Sequence, residues 1–196
     1  MSTIPNADIW NVPNRITVAR LGISIICFVA LAVGWHGAAL VLFAVAAGTD
    51  WLDGYWARRY QQITQLGLIL DPFADKLLIC GVFTFLAAVP ESEIWPWMAV
   101  VVVARELLVT GLRSFFEQQG VDFSASQAGK WKMVFQCAAV ALSLLRLTYA
   151  QPTLAPEWMS VVLVAVVWIA IMLTIYSGWE YVRTALRLLR SNAHHG

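Results

Sequence analysis

The feature that most constrains the fold of this chain is a run of 22 consecutive residues without a charge, 158–179. A transmembrane helix needs roughly 20 mostly apolar residues, so this run can cross a bilayer unaided. Over the whole chain 60% of the residues are hydrophobic and 13% are charged, whereas soluble domains average about 25% charged residues. This composition excludes an ordinary soluble domain, a disordered chain and a nucleic-acid-binding protein, and it indicates an integral membrane protein.

The other uncharged runs are shorter than a full span or too short for two spans, so charged residues must complete most of the helices. The first long run, 21–49, is best divided at 34–37, where glycines flank Trp35 and His36. The sequence therefore predicts an all-α protein with six transmembrane helices, at 15–34, 38–58, 71–90, 95–116, 128–149 and 158–184. We interpret the chain as a single membrane domain, 1–196, with an interfacial segment at 1–14 and a polar tail at 186–196.

The basic residues lie almost entirely at one end of this predicted bundle. If the helices alternate in direction, twelve of the thirteen Lys and Arg residues fall on the same side, and Arg146 alone falls on the other. By the positive-inside rule the basic side is cytoplasmic, with both termini there. Charged groups within membrane helices usually line a cavity or pair with each other. We therefore expect a polar, metal-binding cavity in the cytoplasmic half, closed on the outer side by apolar packing.

Four acidic residues lie at the ends of the second and third predicted helices: Asp50, Asp53, Asp71 and Asp75. The first pair shares one helical stripe with Gly54 and Ala57, because the spacing is i, i+3, i+4 and i+7. The second pair is one turn apart. The small residues leave room for a bulky ligand to approach the second helix closely.

Four carboxylates at a membrane interface repel each other, so they require counter-charge. Their formal charge matches two divalent cations, and oxygen ligands without His or Cys suit Mg²⁺ or Mn²⁺. A paired metal site of this kind is typical of displacement at phosphorus, and Arg58 would add a phosphate contact. The alternative is a solvated ion network with Arg58, Arg59 and Lys76.

The spacing of these residues resembles the signature of the CDP-alcohol phosphatidyltransferase family at all eight positions. The matching pattern is Asp50-x2-Asp53-Gly54-x2-Ala57-Arg58-x8-Gly67-x3-Asp71-x3-Asp75. The resemblance covers nearly the whole chain, since the six-helix hydropathy agrees with the family's fold. It implies CDP-diacylglycerol as a substrate, membrane lipids as surroundings and a homodimer.

The resemblance also implies roles for individual residues. Asp50, Asp53, Asp71 and Asp75 would hold the metal ions, and Asp75 would also be the general base that takes a proton from the acceptor hydroxyl. The CDP-binding residues would be Asp50, Asp53, Gly54, Ala57, Arg58, Gly67 and Asp71. CMP would be the leaving group.

A second polar cluster predicts the class of acceptor. Two arginines on the fourth predicted helix and two lysines at the start of the fifth flank the same cavity: Arg105, Arg113, Lys130 and Lys132. Positive charge beyond the metal site favours an acceptor that carries its own phosphate. In a regular helix the two lysines point about 200° apart, so we expect one of them to reach the cavity.

Short sequence motifs narrow the choice of acceptor further. Residues 11–20 resemble the entrance segment of bacterial phosphatidylglycerophosphate synthases, and Asn14, Thr17 and Arg20 within it would form a lipid or substrate entrance. The Arg-Glu pair at 105–106 and Gly-Lys-x-Lys at 129–132 resemble further elements of that subfamily, which commonly has Thr where this chain has Met133. The resemblance implies transfer of a phosphatidyl group to glycerol 3-phosphate in a bacterial cytoplasmic membrane, giving phosphatidylglycerol phosphate and CMP.

Two alternatives stay open. One is the same chemistry with another acceptor, either phosphatidylglycerol, as in a cardiolipin synthase, or an inositol phosphate. The other is a cation transporter that uses the acidic cluster as its site. A transporter needs a polar path through the outer half, which the sequence does not supply.

Overall fold

The computed structural model describes residues 12–60, 65–119, 127–149 and 156–192, and within them it does not describe the side chains of 12–14, 50–60, 65–69, 71–72 and 191–192. The described chain contains no strand. Its long helices are α1 (Val12–Ala32), α2 (His36–Tyr60), α3 (Gln65–Leu86), α4 (Pro96–Gln118), α5 (Gln127–Leu147) and α6 (Glu157–Asn192), and a short 3-10 helix (Pro90–Ser92) precedes α4. The all-helical class predicted from the sequence is confirmed.

The helices pack into one bundle in which neighbours in sequence are mostly neighbours in space. Helix α1 packs against α2 and α3, α4 packs against α3 and α6, and α5 packs against α6 and α2. The main core is apolar, with Phe43, Phe83 and Leu144 almost fully buried. A second, smaller core joins the C-terminal half of α4 to α6 through Phe116 and Tyr181.

The turn between α1 and α2 ends the first helix where the sequence predicts a break. Gly34 has a φ of 77°, its N–H donates to Leu31 O at 3.1 Å, and Trp35 N–H donates to Ala30 O at 2.8 Å. This pair of bonds is the Schellman arrangement, which requires a left-handed residue that glycine adopts without strain. The chain therefore reverses direction here.

The α3–α4 connection is fixed to α5 by polar contacts. Ser92 is buried, its hydroxyl donates to Leu86 O at 2.7 Å, and its own carbonyl accepts a bond from Ser143 at 2.9 Å. Arg146, the basic residue predicted on the outer side, pairs with Glu93 at 2.7 Å. These contacts close the end of the bundle opposite the polar cavity described below.

The outside of the described bundle is largely apolar, and several polar side chains lie inside. Ile25, Leu107 and Val161 are each more than half exposed, whereas Glu106 and Lys132 are buried. Within the part of the chain that the structure describes, two helices are long and apolar enough to cross a membrane, at Arg15–Ala32 and Glu157–Arg190. This arrangement is typical of a membrane protein, in which apolar side chains face lipid and charged groups pair in the interior.

Two helix boundaries differ more than the others from those predicted. Helix α3 begins at Gln65, before the predicted start at 71, so Pro72 lies inside the helix; the apolar residues before Asp71 continue the helical run. Helix α6 continues to Asn192, into the segment predicted as a polar tail. The extension is held by Leu188, which packs against the smaller core.

Candidate functional site

A small polar cavity lies between α3, α4 and α5. Its volume is about 170 Å³, below the roughly 300–1,000 Å³ of pockets that enclose drug-sized ligands. It is lined by Asp75, Lys76, Ile79, Glu106, Arg113, Lys132, Met133 and Gln136. A cavity of this size and polarity suits a small charged molecule rather than a lipid chain.

Asp75 forms one wall of the cavity and is held from behind by α1. Arg20 Nη1 donates to Asp75 Oδ1 at 2.8 Å. The Arg20 side chain is 1% exposed, while that of Asp75 is 27% exposed. The guanidinium therefore orients a carboxylate that still reaches solvent.

Two of the three predicted entrance residues have described side chains, and both lie inside the bundle. Thr17 and Arg20 are buried within the bundle, so neither lies at an open surface. The side chain of Asn14 lies outside the described residues. Burial of Arg20 follows from its pairing with Asp75, since a buried guanidinium needs a charged or polar partner.

Glu106 joins α4 to α5 at a second wall. Its Oε1 accepts a bond from Lys132 Nζ and another from Arg105 Nη1, the latter at 3.2 Å. All three side chains are at least nine-tenths buried. Removing Glu106 should cost roughly 3–5 kcal/mol, because it leaves both buried cations unpaired. Glu106 therefore fixes the position of Lys132 in the cavity wall.

Helix α6 supports the two arginines of α4. Arg105 Nε donates to Ser177 Oγ at 3.1 Å, and its guanidinium lies over the ring of Tyr181, 5.5 Å from the centroid. Arg113 Nη2 donates to the Tyr181 hydroxyl at 3.3 Å. Gly178 makes room for this packing, because a Cβ there would lie 3.3 Å from Arg105 Cγ. Tyr181 therefore contacts both cations.

The four residues predicted to bind an acceptor phosphate fall into three groups. Arg113 and Lys132 line the cavity, Arg105 lies behind its wall, and Lys130 is exposed. Among the described side chains, no carboxylate lies within ion-pair distance of Arg113 or of Lys76. These two cations are therefore available to an anion in the cavity.

The predicted metal and nucleotide site lies mostly outside the described side chains. The structure describes the side chain of Asp75 but not those of Asp50, Asp53, Ala57, Arg58 and Asp71, and it does not describe the surroundings of Gly54 and Gly67. Within the described part, no three His, Cys, Asp or Glu side chains form a metal-binding group. The helices that carry these acids, α2 and α3, pack against each other. A donor set of carboxylate oxygens from neighbouring helices fits a hard divalent cation.

Sequence reasoning assigned no pairing role to Glu106, although it noted the Arg-Glu pair, and it missed four further polar residues around this cavity: Gln136, Thr174, Ser177 and Tyr181. The last three share one face of α6, because their spacing is i, i+3 and i+7. Gln136 follows Lys132 by one turn, so the two share a face of α5. A polar stripe within an apolar segment is the signal that could have found them.

Comparison with known proteins identifies the family to which the chain belongs. The sequence model of CDP-alcohol phosphatidyltransferases matches residues 10–176, which is most of the chain. The chain belongs to this family. The identification from the eight-position pattern is thereby confirmed. CDP-alcohol phosphatidyltransferases generally depend on divalent cations.

Several bacterial CDP-alcohol phosphatidyltransferases resemble the chain over nearly their full length. A protein of Bacillus subtilis (strain 168) is 36% identical over 189 residues, covering 88% of this chain and 93% of its own. One of Pseudomonas fluorescens is 36% identical and covers 93% of each chain. One of Cereibacter sphaeroides is 30% identical, covering 92% of this chain and 98% of its own. All three are named CDP-diacylglycerol–glycerol-3-phosphate 3-phosphatidyltransferase.

Proposed function

We propose that this protein transfers the phosphatidyl group of CDP-diacylglycerol to glycerol 3-phosphate, giving phosphatidylglycerol phosphate and CMP. The observation that carries the proposal is the small cavity in which Lys76 and Arg113 have no carboxylate partner among the described residues. A dianionic phosphate matches two such cations, whereas an uncharged alcohol leaves them unpaired. The names of the relatives support the same acceptor.

Arg113 is the residue best placed to bind the acceptor phosphate. Its Nη2 donates to the Tyr181 hydroxyl, and no described carboxylate lies within ion-pair distance of it. A guanidinium that is held through one nitrogen can bind a phosphate through another without losing much side-chain freedom. Lys132 shares the single negative charge of Glu106 with Arg105, so this group of three keeps a net positive charge beside the cavity.

Asp75 is the proposed general base. The acceptor hydroxyl gives its proton to the Asp75 carboxylate while its oxygen attacks the phosphorus of the phosphatidyl group. The bond between that phosphorus and the CMP oxygen breaks, and CMP leaves. Positioned bases of this kind accelerate reactions roughly 10²- to 10⁴-fold. The bond from Arg20 orients the carboxylate for this step.

We propose that the acidic cluster holds two divalent cations, Mg²⁺ or Mn²⁺. Its members are Asp50, Asp53, Asp71 and Asp75. When bound, such ions stabilise the charge on the entering and leaving oxygens. The CDP moiety would lie against Gly54 and Ala57, with Arg58, Gly67 and the acids completing its site.

The proposed setting is a bacterial cytoplasmic membrane crossed by all six long helices, with the cavity and both termini on the cytoplasmic side. The apolar exterior and the buried charges support a membrane setting. The positive-inside distribution of Lys and Arg supports the orientation. The homodimer implied by family resemblance stays a prediction.

A transfer assay on detergent-purified protein tests the proposed function. CDP-diacylglycerol and Mg²⁺ are supplied with labelled glycerol 3-phosphate, inositol phosphate, serine or phosphatidylglycerol in parallel reactions. We expect label to enter lipid from glycerol 3-phosphate alone, with stoichiometric CMP release and full loss on EDTA treatment. Incorporation from another acceptor would contradict the acceptor, and the absence of CMP release with every acceptor would contradict the transferase.

The same transfer assay tests Asp75 as the general base. Asp75→Asn should lower turnover by about 10² or more, because the amide cannot take a proton. The matched control is Glu117→Gln, which removes a carboxylate from an exposed position on α4 and should leave turnover unchanged. Full activity in Asp75→Asn would exclude Asp75 as the base.

A further inference from the structure

Gln136 has a buried side-chain amide in the cavity wall that is hydrogen-bonded through its nitrogen but not through its oxygen. The side chain lies on α5, its residue is 0% exposed, and it lines the cavity. Its Oε1 has no hydrogen-bond partner among the described residues. Buried polar atoms are almost always paired, so an orphaned acceptor beside a cavity marks a place where a ligand or a water donates.

The orientation of this amide is fixed by its neighbour on α6. The hydroxyl of Thr174 donates its single hydrogen to Ala170 O at 2.6 Å, so its oxygen can only accept further bonds. Gln136 Nε2 donates to that oxygen at 2.9 Å. Rotating the amide would place two acceptors against each other. Oε1 is therefore the atom that faces away from Thr174 and needs a donor.

The chemistry of an amide oxygen limits what it can bind. It accepts hydrogen bonds and is not a base, so it cannot hold the hydroxyl that loses its proton during transfer. It repels the oxygens of a phosphate, which are acceptors as well. Lys132, one turn away on the same helix, donates to Glu106. A hydroxyl that keeps its proton throughout the reaction is the donor that a bound acceptor can offer to this oxygen.

We propose that Gln136 Oε1 accepts a hydrogen bond from the secondary, non-reacting hydroxyl of the acceptor and thereby selects polyol phosphates over simpler alcohol phosphates. This inference rests on the proposed function, in which glycerol 3-phosphate is the acceptor. Its phosphate would contact Arg113, and its C2 hydroxyl would contact Gln136. Both residues line the same cavity.

The test compares two acceptors that differ in this hydroxyl alone. Glycerol 3-phosphate and 3-hydroxypropyl phosphate are supplied to the wild type, to Gln136→Met and to Gln127→Met. The methionine preserves side-chain length and removes the amide. Gln127 is an exposed glutamine on the same helix, so its variant is a matched control.

We expect the wild type and Gln127→Met to prefer glycerol 3-phosphate by roughly 10- to 100-fold in kcat/KM, the range for one buried hydrogen bond. In Gln136→Met the preference should fall to about threefold or less. The loss should come from a higher KM for glycerol 3-phosphate, with the KM for CDP-diacylglycerol unchanged. Activity with 3-hydroxypropyl phosphate should stay near that of the wild type.

Two results would overturn the inference. One is a wild type that uses both acceptors equally well, which needs no variant to detect and would leave Oε1 bonded to water. The other is an undiminished preference in Gln136→Met. If the wild type incorporates no glycerol 3-phosphate, the proposed function fails instead, and the two failures are thereby distinguished.

A second variant keeps the test valid if Gln136→Met does not fold. Thr174→Val leaves Gln136 in place but removes the acceptor that fixes its Nε2. The amide can then rotate, so the preference for glycerol 3-phosphate should fall by a smaller factor. An unchanged preference in this variant would contradict the fixed orientation on which the selection depends.

Discussion

At the scale of single residues, the position of Arg105 depends on a glycine, Gly178, in the facing turn of α6. The arginine stem crosses the helix at Gly178, where a Cβ would lie 3.3 Å from its Cγ. Beyond this crossing the guanidinium reaches Ser177 and Tyr181. Because Tyr181 also contacts Arg113, a displacement of Arg105 disturbs the cavity wall through one shared ring.

Gly178→Val should therefore weaken acceptor binding. Its branched side chain displaces the Arg105 stem and breaks the bond to Ser177, so we expect kcat/KM for glycerol 3-phosphate to fall roughly 5- to 30-fold. Gly178→Ala should have a smaller effect, since a shift of a few tenths of an ångström relieves the contact. Steady-state kinetics with each substrate varied in turn measure these effects.

Gly111→Val is the control, because nothing lies within 4 Å of a Cβ there. Equal losses in the two valine variants would exclude this role for Gly178.

The acceptor-site residues show what spacing alone can predict. The i, i+2 relation of Lys130 and Lys132 indicates that the two point in different directions, and the structure buries the second and exposes the first. Which one faces inward depends on the rotation of α5, and that rotation is set by packing against α6 and α2. The position of Gln136 in the cavity wall follows from the same rotation. The sequence pattern of α5 alone does not predict the position of either Lys132 or Gln136.

At the scale of helices, α1 and α3 approach closely through a pairing of large and small residues. Phe28 lies against Gly81, where an added Cβ would be 2.2 Å from the ring carbon Cζ. The same ring stacks on Phe85, with centroids 5.6 Å apart. The helix that carries Arg20 and the helix that carries Asp75 are thereby held at the distance their ion pair requires.

Gly81→Ala should separate these helices and lower stability. Overpacking of a filled contact costs roughly 1–3 kcal/mol, since the Phe28 ring must leave its position. Thermal unfolding of the detergent-solubilised protein measures the effect. Gly22→Ala on α1 is the matched control, with nothing within 4 Å of the added methyl, and should be neutral or slightly stabilising. A Gly81→Ala protein as stable as this control would contradict the close packing.

Helix positions were more predictable than helix ends. Each observed long helix overlaps one predicted segment, because hydrophobic runs and Gly34 mark them directly. The start of α3 was not predictable from Pro72, since a proline is tolerated inside a transmembrane helix when neighbouring groups bond the freed backbone atoms. The end of α6 depends on the contact of Leu188 with the smaller core, which composition does not reveal.

At the scale of the whole molecule, the distribution of charge predicts the orientation in the membrane. Helix α6 has an exposed acid at its start, Glu157, and an exposed base near its end, Arg187. In a variant without the native cysteines, Glu157→Cys should react with a membrane-impermeant maleimide in intact cells. Arg187→Cys should react only after the cells are opened, because the positive-inside rule predicts that the basic end is cytoplasmic. The reverse pattern would contradict the predicted orientation.

The length of helix α6 also relates the thickness of the bilayer to the depth of the candidate site. Exposed tryptophans at 158 and 179 are separated by 21 residues, or about 32 Å, close to the thickness of the hydrocarbon core. Arg183 lies over the ring of Trp179, and we expect this pair to anchor that end of the helix at the headgroups. Thr174, five residues inside this anchor, then sits about 8 Å beneath it. The spacing of these residues along α6 thus sets the depth at which a water-soluble acceptor meets a lipid-borne phosphate. A thinner or thicker membrane would change that meeting plane by tilting α6 rather than by altering any residue of the site.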